Sequence, residues 1–317
     1  MQRDDRQADF DSLLPGKTTE DGATRRTALK AALGVGYAAT AIPIMAQTAI
    51  KTSADGLTAG EVTIDVNGFK MAAYRAAPAG KTNLPVVLVI QEIFGVHEYI
   101  ADTARRFAKA GYLAIAPELF QRQGDPTSYG EMAKLMAEVV SKVPDAQVMG
   151  DLDAAVKWAG ANGGNTAKVG ITGFCWGGRI TWLYAAHNPQ VKAGVAWYGR
   201  LVGASTPLTP KHPVDVAVAL NGPVLGLYGE KDTGIPLDTV DKMKAALATG
   251  NAAPRHRSSW CTLTPRTRSM PTTAPASARA LPKTAGSAHW NGSRPTVWPD
   301  TGRHCQSRGR ASGLFCE

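Results

Sequence analysis

Cysteine is nearly missing from most of this chain. The first 250 residues hold only Cys175, while Cys261, Cys305 and Cys316 lie further on. One cysteine cannot build an internal disulfide framework. No C-x-x-C pair or Cys/His cluster has zinc-ligand spacing, so no metal is expected. Negative charge is scarce too, but only at one end. Residues 251–317 carry 10 Lys+Arg against 2 Asp+Glu, whereas residues 1–250 carry 25 against 24. The net charge of +9 therefore belongs to the tail, and the near-neutral body offers no footprint for nucleic acid. A long hydrophobic run is also lacking. The best stretch, Ala31–Ala46, is short and rich in Gly and Ala, a poor membrane span. What remains is a 317-residue chain, 44% hydrophobic, with material for one large core or two small ones.

That apolar stretch follows Thr24-Arg25-Arg26-Thr27-Ala28-Leu29-Lys30. Paired arginines before a moderately apolar segment fit a twin-arginine export signal, with residues 1–23 as a polar n-region. Cleavage after Ala46 or Ala49 is expected, and an ordinary amphipathic helix is the alternative. Export would make the twin-arginine machinery a partner, would require folding before translocation, and would put the protein in the periplasm or outside the cell. After signal removal no membrane contact is expected. The chain thus divides into residues 1–49, a domain over 50–250, and a tail over 251–317.

Within the domain, Glu61–Val66 and Lys70–Arg75 alternate around Asn67-Gly68, a hairpin signal. Leu84–Ile90 is almost wholly apolar, as in a strand buried on both faces. Tyr112–Ala116, Lys168–Thr172, Val191–Tyr198 and Val224–Tyr228 read as further strands. Helices are expected at Tyr99–Ala110, Tyr129–Val143, Ala146–Ala159, Arg179–Ala186 and Pro236–Ala248. Alternation of strand and helix argues for an α/β fold, a mostly parallel sheet covered on both faces. Ligands in such sheets sit at the carboxyl ends of strands. Cys175, the Gln91–Gly95 loop and the Gly229–Asp232 loop all fall there.

The Lys168–Thr172 strand runs into Gly173-Phe174-Cys175-Trp176-Gly177-Gly178. Small residues two before and two after a nucleophile mark the strand-to-helix elbow of α/β-hydrolases, here with cysteine in the nucleophile's place. A helix starting at Cys175 would favour a thiolate through its unpaired N–H groups and dipole. The bland alternative is an inert cysteine beside tightly packed glycines. Asp232, just after a late strand, stands where such enzymes keep the acid that orients a histidine, although an aspartate there also forms turns. Glu92 could tune the thiol or cap a helix. His97 lies close to Glu92 in sequence, where a helix-face or capping role is expected. Arg122 is the nearest candidate to clamp an anionic substrate, with surface solvation as its ordinary role.

Ile90-Gln91-Glu92-Ile93-Phe94-Gly95, Ala116-Pro117-Glu118-Leu119-Phe120, the elbow hexapeptide and Gly229-Glu230-Lys231-Asp232, in that order, resemble the dienelactone hydrolase family over residues 60–250. The resemblance implies an α/β-hydrolase fold and a Cys-His-Asp triad. It makes Cys175 the nucleophile and Asp232 the acid. Glu92 would hold the thiol at rest and release it as thiolate when substrate binds, and the N–H groups of Ile93 and Trp176 would form the oxyanion hole. It implies a small ester or lactone substrate, opened through an acyl-enzyme without a cofactor. A general esterase or thioesterase on the same scaffold, or a catalytically silent binding module, stays open.

The triad histidine is missing. His97, His187 and His212 precede Asp232, and no strand is expected before His256, His289 or His304. A shifted reading frame can supply the lost parts. With GC-rich codons, Arg257–Pro275 can spell Lys-Phe-Val-Val-Tyr-Pro-Asp-Ala-Pro-His-Ala-Phe-His-Ala-Asp-Tyr-Arg-Pro, a strand and then a histidine loop. The first histidine straddles the codons of Arg266 and Thr267. Leu281–Ser293 can spell an amphipathic closing helix. A one-base frame change between about Gly250 and Arg257 is therefore expected. It would leave the sheet without its last strand and helix, and the reaction without its base. Sequencing the coding region checks this: nucleotides that do not encode the strand and histidine in the other frame refute it.

Overall fold

The computed structural model describes residues 51–249, together with the backbone of residues 259–263 and 314–316. Strands β1 (Leu57–Val66) and β2 (Phe69–Pro78) form the expected hairpin. Asn67 and Gly68 both take positive φ (51° and 92°), the geometry that keeps a two-residue turn in step with strand twist. Next come β3 (Leu84–Ile90), α1 (Glu98–Lys109), β4 (Leu113–Pro117), α2 (Met132–Glu138), α3 (Asp145–Ala161), β5 (Gly164–Phe174) and α4 (Trp176–His187). Then follow β6 (Val191–Trp197), α5 (Pro213–Val216), β7 (Val224–Gly229), α6 (Leu237–Thr249), β8 (Ser259–Leu263) and β9 (Leu314–Cys316).

The sheet order is β1-β2-β4-β3-β5-β6-β7-β8-β9. Strands β4 to β8 run parallel, and antiparallel strands flank them on both sides. Residues of β3 alternate between two cores, which explains its unbroken apolar sequence. Val86, Leu88 and Ile90 join the cluster under α3 and α4, while Val87 and Val89 face Ile100, Ala104 and Ala108 of α1.

Two expectations need correction. The single helix over Tyr129–Val143 is broken into α2 and a 3₁₀ turn at Val140–Lys142. Valines at 139, 140 and 143 are weak helix formers, and their burial does not depend on a regular helix. A strand also precedes His289 and His304, since β8 pairs in parallel along the open edge of β7. Trp260 and Thr262 suit a strand, and an unpaired edge is a template for one. His256 lies before β8. The closing helix, the export signal and the tail histidines fall outside the described residues.

Helix α4, which follows the elbow, is fixed to α3 by a buried ion pair. Arg179 donates from Nη1 and Nη2 to both carboxylate oxygens of Asp145, each at 2.7 Å, and from Nη2 to the Lys211 carbonyl. Both residues are under a tenth exposed. Asp145→Ala strands a buried guanidinium, so urea denaturation should show a loss of about 3–5 kcal/mol.

Candidate active site

Cys175 follows the last residue of β5 and stands at the N-cap position of α4, with φ 54° and ψ −115°. A non-glycine residue in that region is strained, by about 1–3 kcal/mol. Neighbouring backbones hold it there. Its N–H donates to the Trp197 carbonyl at 3.0 Å, and its own carbonyl accepts from Gly178 at 3.0 Å. The glycines around it are there for close approach. A Cβ on Gly177 would stand 2.6 Å from the Ile90 carbonyl oxygen, and one on Gly178 would stand 2.9 Å from Gly199. The first turn of α4 therefore rests on the ends of β3 and β6.

That contact brings Glu92 beside the elbow. Glu92 is buried, and its charge, like that of Asp232, acts on the Cys175 sulfur. The structure thus gathers Cys175, Glu92 and Asp232 from three strand ends. Burial, reinforced by Glu92 and Asp232, pushes the thiol up to about 12, against the opposing pull of the Trp176 N–H and Arg200. Burial and the two carboxylates therefore outweigh the helix N-terminus, and the thiol is protonated at neutral pH. The N–H of Trp176 points at the sulfur, and that of Ile93 meets no acceptor among the described residues.

Asp232 forms a turn, its Oδ1 accepting from the Gly234 N–H at 2.8 Å. Glu92 makes no hydrogen bond to Cys175 among the described residues. Its Oε1 accepts from the Tyr198 hydroxyl at 3.2 Å, and its Oε2 lies 3.1 Å from His97 Nε2. His97 occupies the N-cap position of α1, but its side chain makes no capping bond and turns to Glu92 instead. Arg122 is bound to Asp151 at 2.6 Å and lies 4.0 Å over the Phe69 ring, so it is neither solvated surface nor a free anion clamp. His187 pairs with Asp153 at the far end of α4, and His212 with Asp215 and the Ala204 carbonyl.

Glu118 has a part that the sequence reading did not give it. Its Oε1 accepts from the Val96 N–H at 3.0 Å, which fixes the loop carrying Glu92, and the Gln91 amide, once its O and N are exchanged, donates to Oε2 at 3.3 Å. Burial raises its pKa. The signal was its position one residue beyond β4, in a motif already singled out. Beside this loop lies a cavity of about 390 Å³, lined in part by Phe94, His97, Glu118 and Asp125. No three metal-ligating side chains gather among the described residues, and no described helix is long and apolar enough to cross a membrane.

Fold and elbow together define an α/β-hydrolase. The dienelactone hydrolase family model matches residues 71–256. A Methylorubrum extorquens protein named "Putative carboxymethylenebutenolidase" is 58% identical, over 75% of this chain and 82% of its own. One of the same name from Escherichia coli is 53% identical, over 68% and 80%. A crystal structure of a Klebsiella pneumoniae protein named "Putative Dienelactone Hydrolase" superposes with a TM-score of 0.62 at 57% identity, covering 66% of this chain and 85% of that one. The chain belongs to the dienelactone hydrolase family, and it is a hydrolase of ester bonds.

Two predictions follow from the elbow. Alkylation of Cys175 by iodoacetamide should climb about tenfold per pH unit and reach no plateau below pH 11, read on the peptide that carries it. Gly177→Ala forces β3 and α4 apart, and should cost about 1–3 kcal/mol in a urea melt.

Proposed function

We propose that the enzyme cleaves a small ester or lactone through a cysteine acyl-enzyme. Cys175 Sγ attacks the acyl carbon, the alkoxide departs with a proton, and water then hydrolyses the thioester to the acid. Asp232 orients the base, Glu92 tunes the thiol, and the Ile93 and Trp176 N–H groups take the oxyanion. The observation that carries this reading is the strained Cys175, with the Glu92 and Asp232 charges converging on its sulfur. The engaged Arg122 favours a neutral ester over an anionic lactone, and so the broader esterase reading. A silent binding module is the alternative that the half-buried, protonated thiol favours.

The base is proposed to come from the other reading frame. The family match ends at residue 256, where the composition changes. Leu263 at the end of β8 is in register with Gly229, three residues before Asp232. A histidine encoded across the codons of Arg266 and Thr267 would follow there. Residues 1–49 are proposed to be an export signal that directs the enzyme to the periplasm or beyond, residues 50–250 the hydrolase domain, and 251–317 a frame-shifted tail.

The frame-corrected chain should turn over p-nitrophenyl esters, and Cys175→Ala should abolish this. The chain as written should be about a hundredfold to ten-thousandfold slower, the usual worth of a general base. No turnover by the corrected chain would favour the binding module.

A further inference from the structure

Tyr198 is the second strained residue of this site. A bulky aromatic at φ 40° is held only where its surroundings over-determine it. Here its N–H donates to the Leu227 carbonyl at 2.8 Å, and the next residue, Gly199, is wedged against the backbone of Gly178 and Arg179. The ring lies against Phe174, 6.2 Å between centroids. The result is a phenol aimed at Glu92 Oε1. On the other side, the backbone of His97 is fixed by its N–H to the Gly95 carbonyl at 3.1 Å, and its ring lies against Tyr99 at 6.4 Å. Its Nε2 faces Glu92 Oε2. Both carboxylate oxygens are thus occupied by groups other than the thiol, in a residue only 5% exposed.

We propose that Tyr198 and His97 form a two-sided clamp that holds the Glu92 carboxylate off the Cys175 sulfur, which makes both of them positioning residues for the nucleophile. The inference rests on Cys175 being that nucleophile, and it replaces the expected hold of Glu92 on the resting thiol with an action at a distance. With the clamp in place, Glu92 acts on the sulfur through space. Without it, the carboxylate is free to turn and accept the thiol proton in a hydrogen bond, which ties up the nucleophile. The charged and titratable groups around the pair are His97 and Tyr99 near the start of α1, Tyr198 after β6, Glu118 facing His97, and Asp232 and Arg200 acting on the sulfur.

The test is site-resolved alkylation of Cys175 by iodoacetamide between pH 7 and 10 in the full chain, with thermal melts of each variant. Glu92→Gln removes a negative charge and should speed alkylation about tenfold at pH 9, equivalent to about one pKa unit. Tyr198→Phe and His97→Asn should each slow it severalfold and shift the profile to higher pH. In the Glu92→Gln background, both should be silent. A purely structural role would slow or loosen both backgrounds alike, and that result overturns the clamp. So does an unchanged profile in Tyr198→Phe and His97→Asn while Glu92→Gln still shifts its own. If Glu92→Gln itself leaves the profile unmoved, the reading of Glu92 fails first and the clamp with it.

Discussion

Everything at this site depends on backbone touching backbone without side chains between. The first turn of α4 meets the end of β3 at Gly177 and the end of β6 at Gly178 and Gly199. Only glycine allows separations this short. The contact strains Cys175, and it draws the β3 loop with Glu92 and the β6 turn with Tyr198 toward the thiol. Hydrogen bonds from the Cys175 N–H to the Trp197 carbonyl and from the Val96 N–H to Glu118 then keep the three strand ends in register. The chemistry is thus a by-product of close packing, and the Arg179–Asp145 pair beneath keeps α4 seated while it happens.

Much of this was legible in the residues. Period-two runs and unbroken apolar stretches gave β1 to β7 within a few residues, because both faces of the parallel strands are buried. Asn67-Gly68 gave the hairpin because few other pairs tolerate two positive φ angles. Cys175, Glu92 and Asp232 could be picked out because the elbow and the strand ends have fixed places in such a sheet. What stayed hidden is tertiary. Nothing around His97 says that its ring would turn to Glu92 instead of capping α1. Nothing near Tyr198 announces a positive φ in an aromatic residue. The helix dipole was a fair local argument for a thiolate, but it lost to burial and two carboxylates, which local sequence does not display.

The tail shows a similar division. Its composition separates it from the domain, yet Ser259–Leu263 still pairs along β7. An open sheet edge accepts any segment with tolerable strand character, so pairing there reflects the edge as much as the segment.

The strain at Cys175 marks a place where the fold overrides local preference. Glycine would sit at φ 54° without strain, so the elbow keeps cysteine against the residue that its backbone favours. Tyr198 is held in its own costly conformation nearby, so the same end of the sheet stores strain twice.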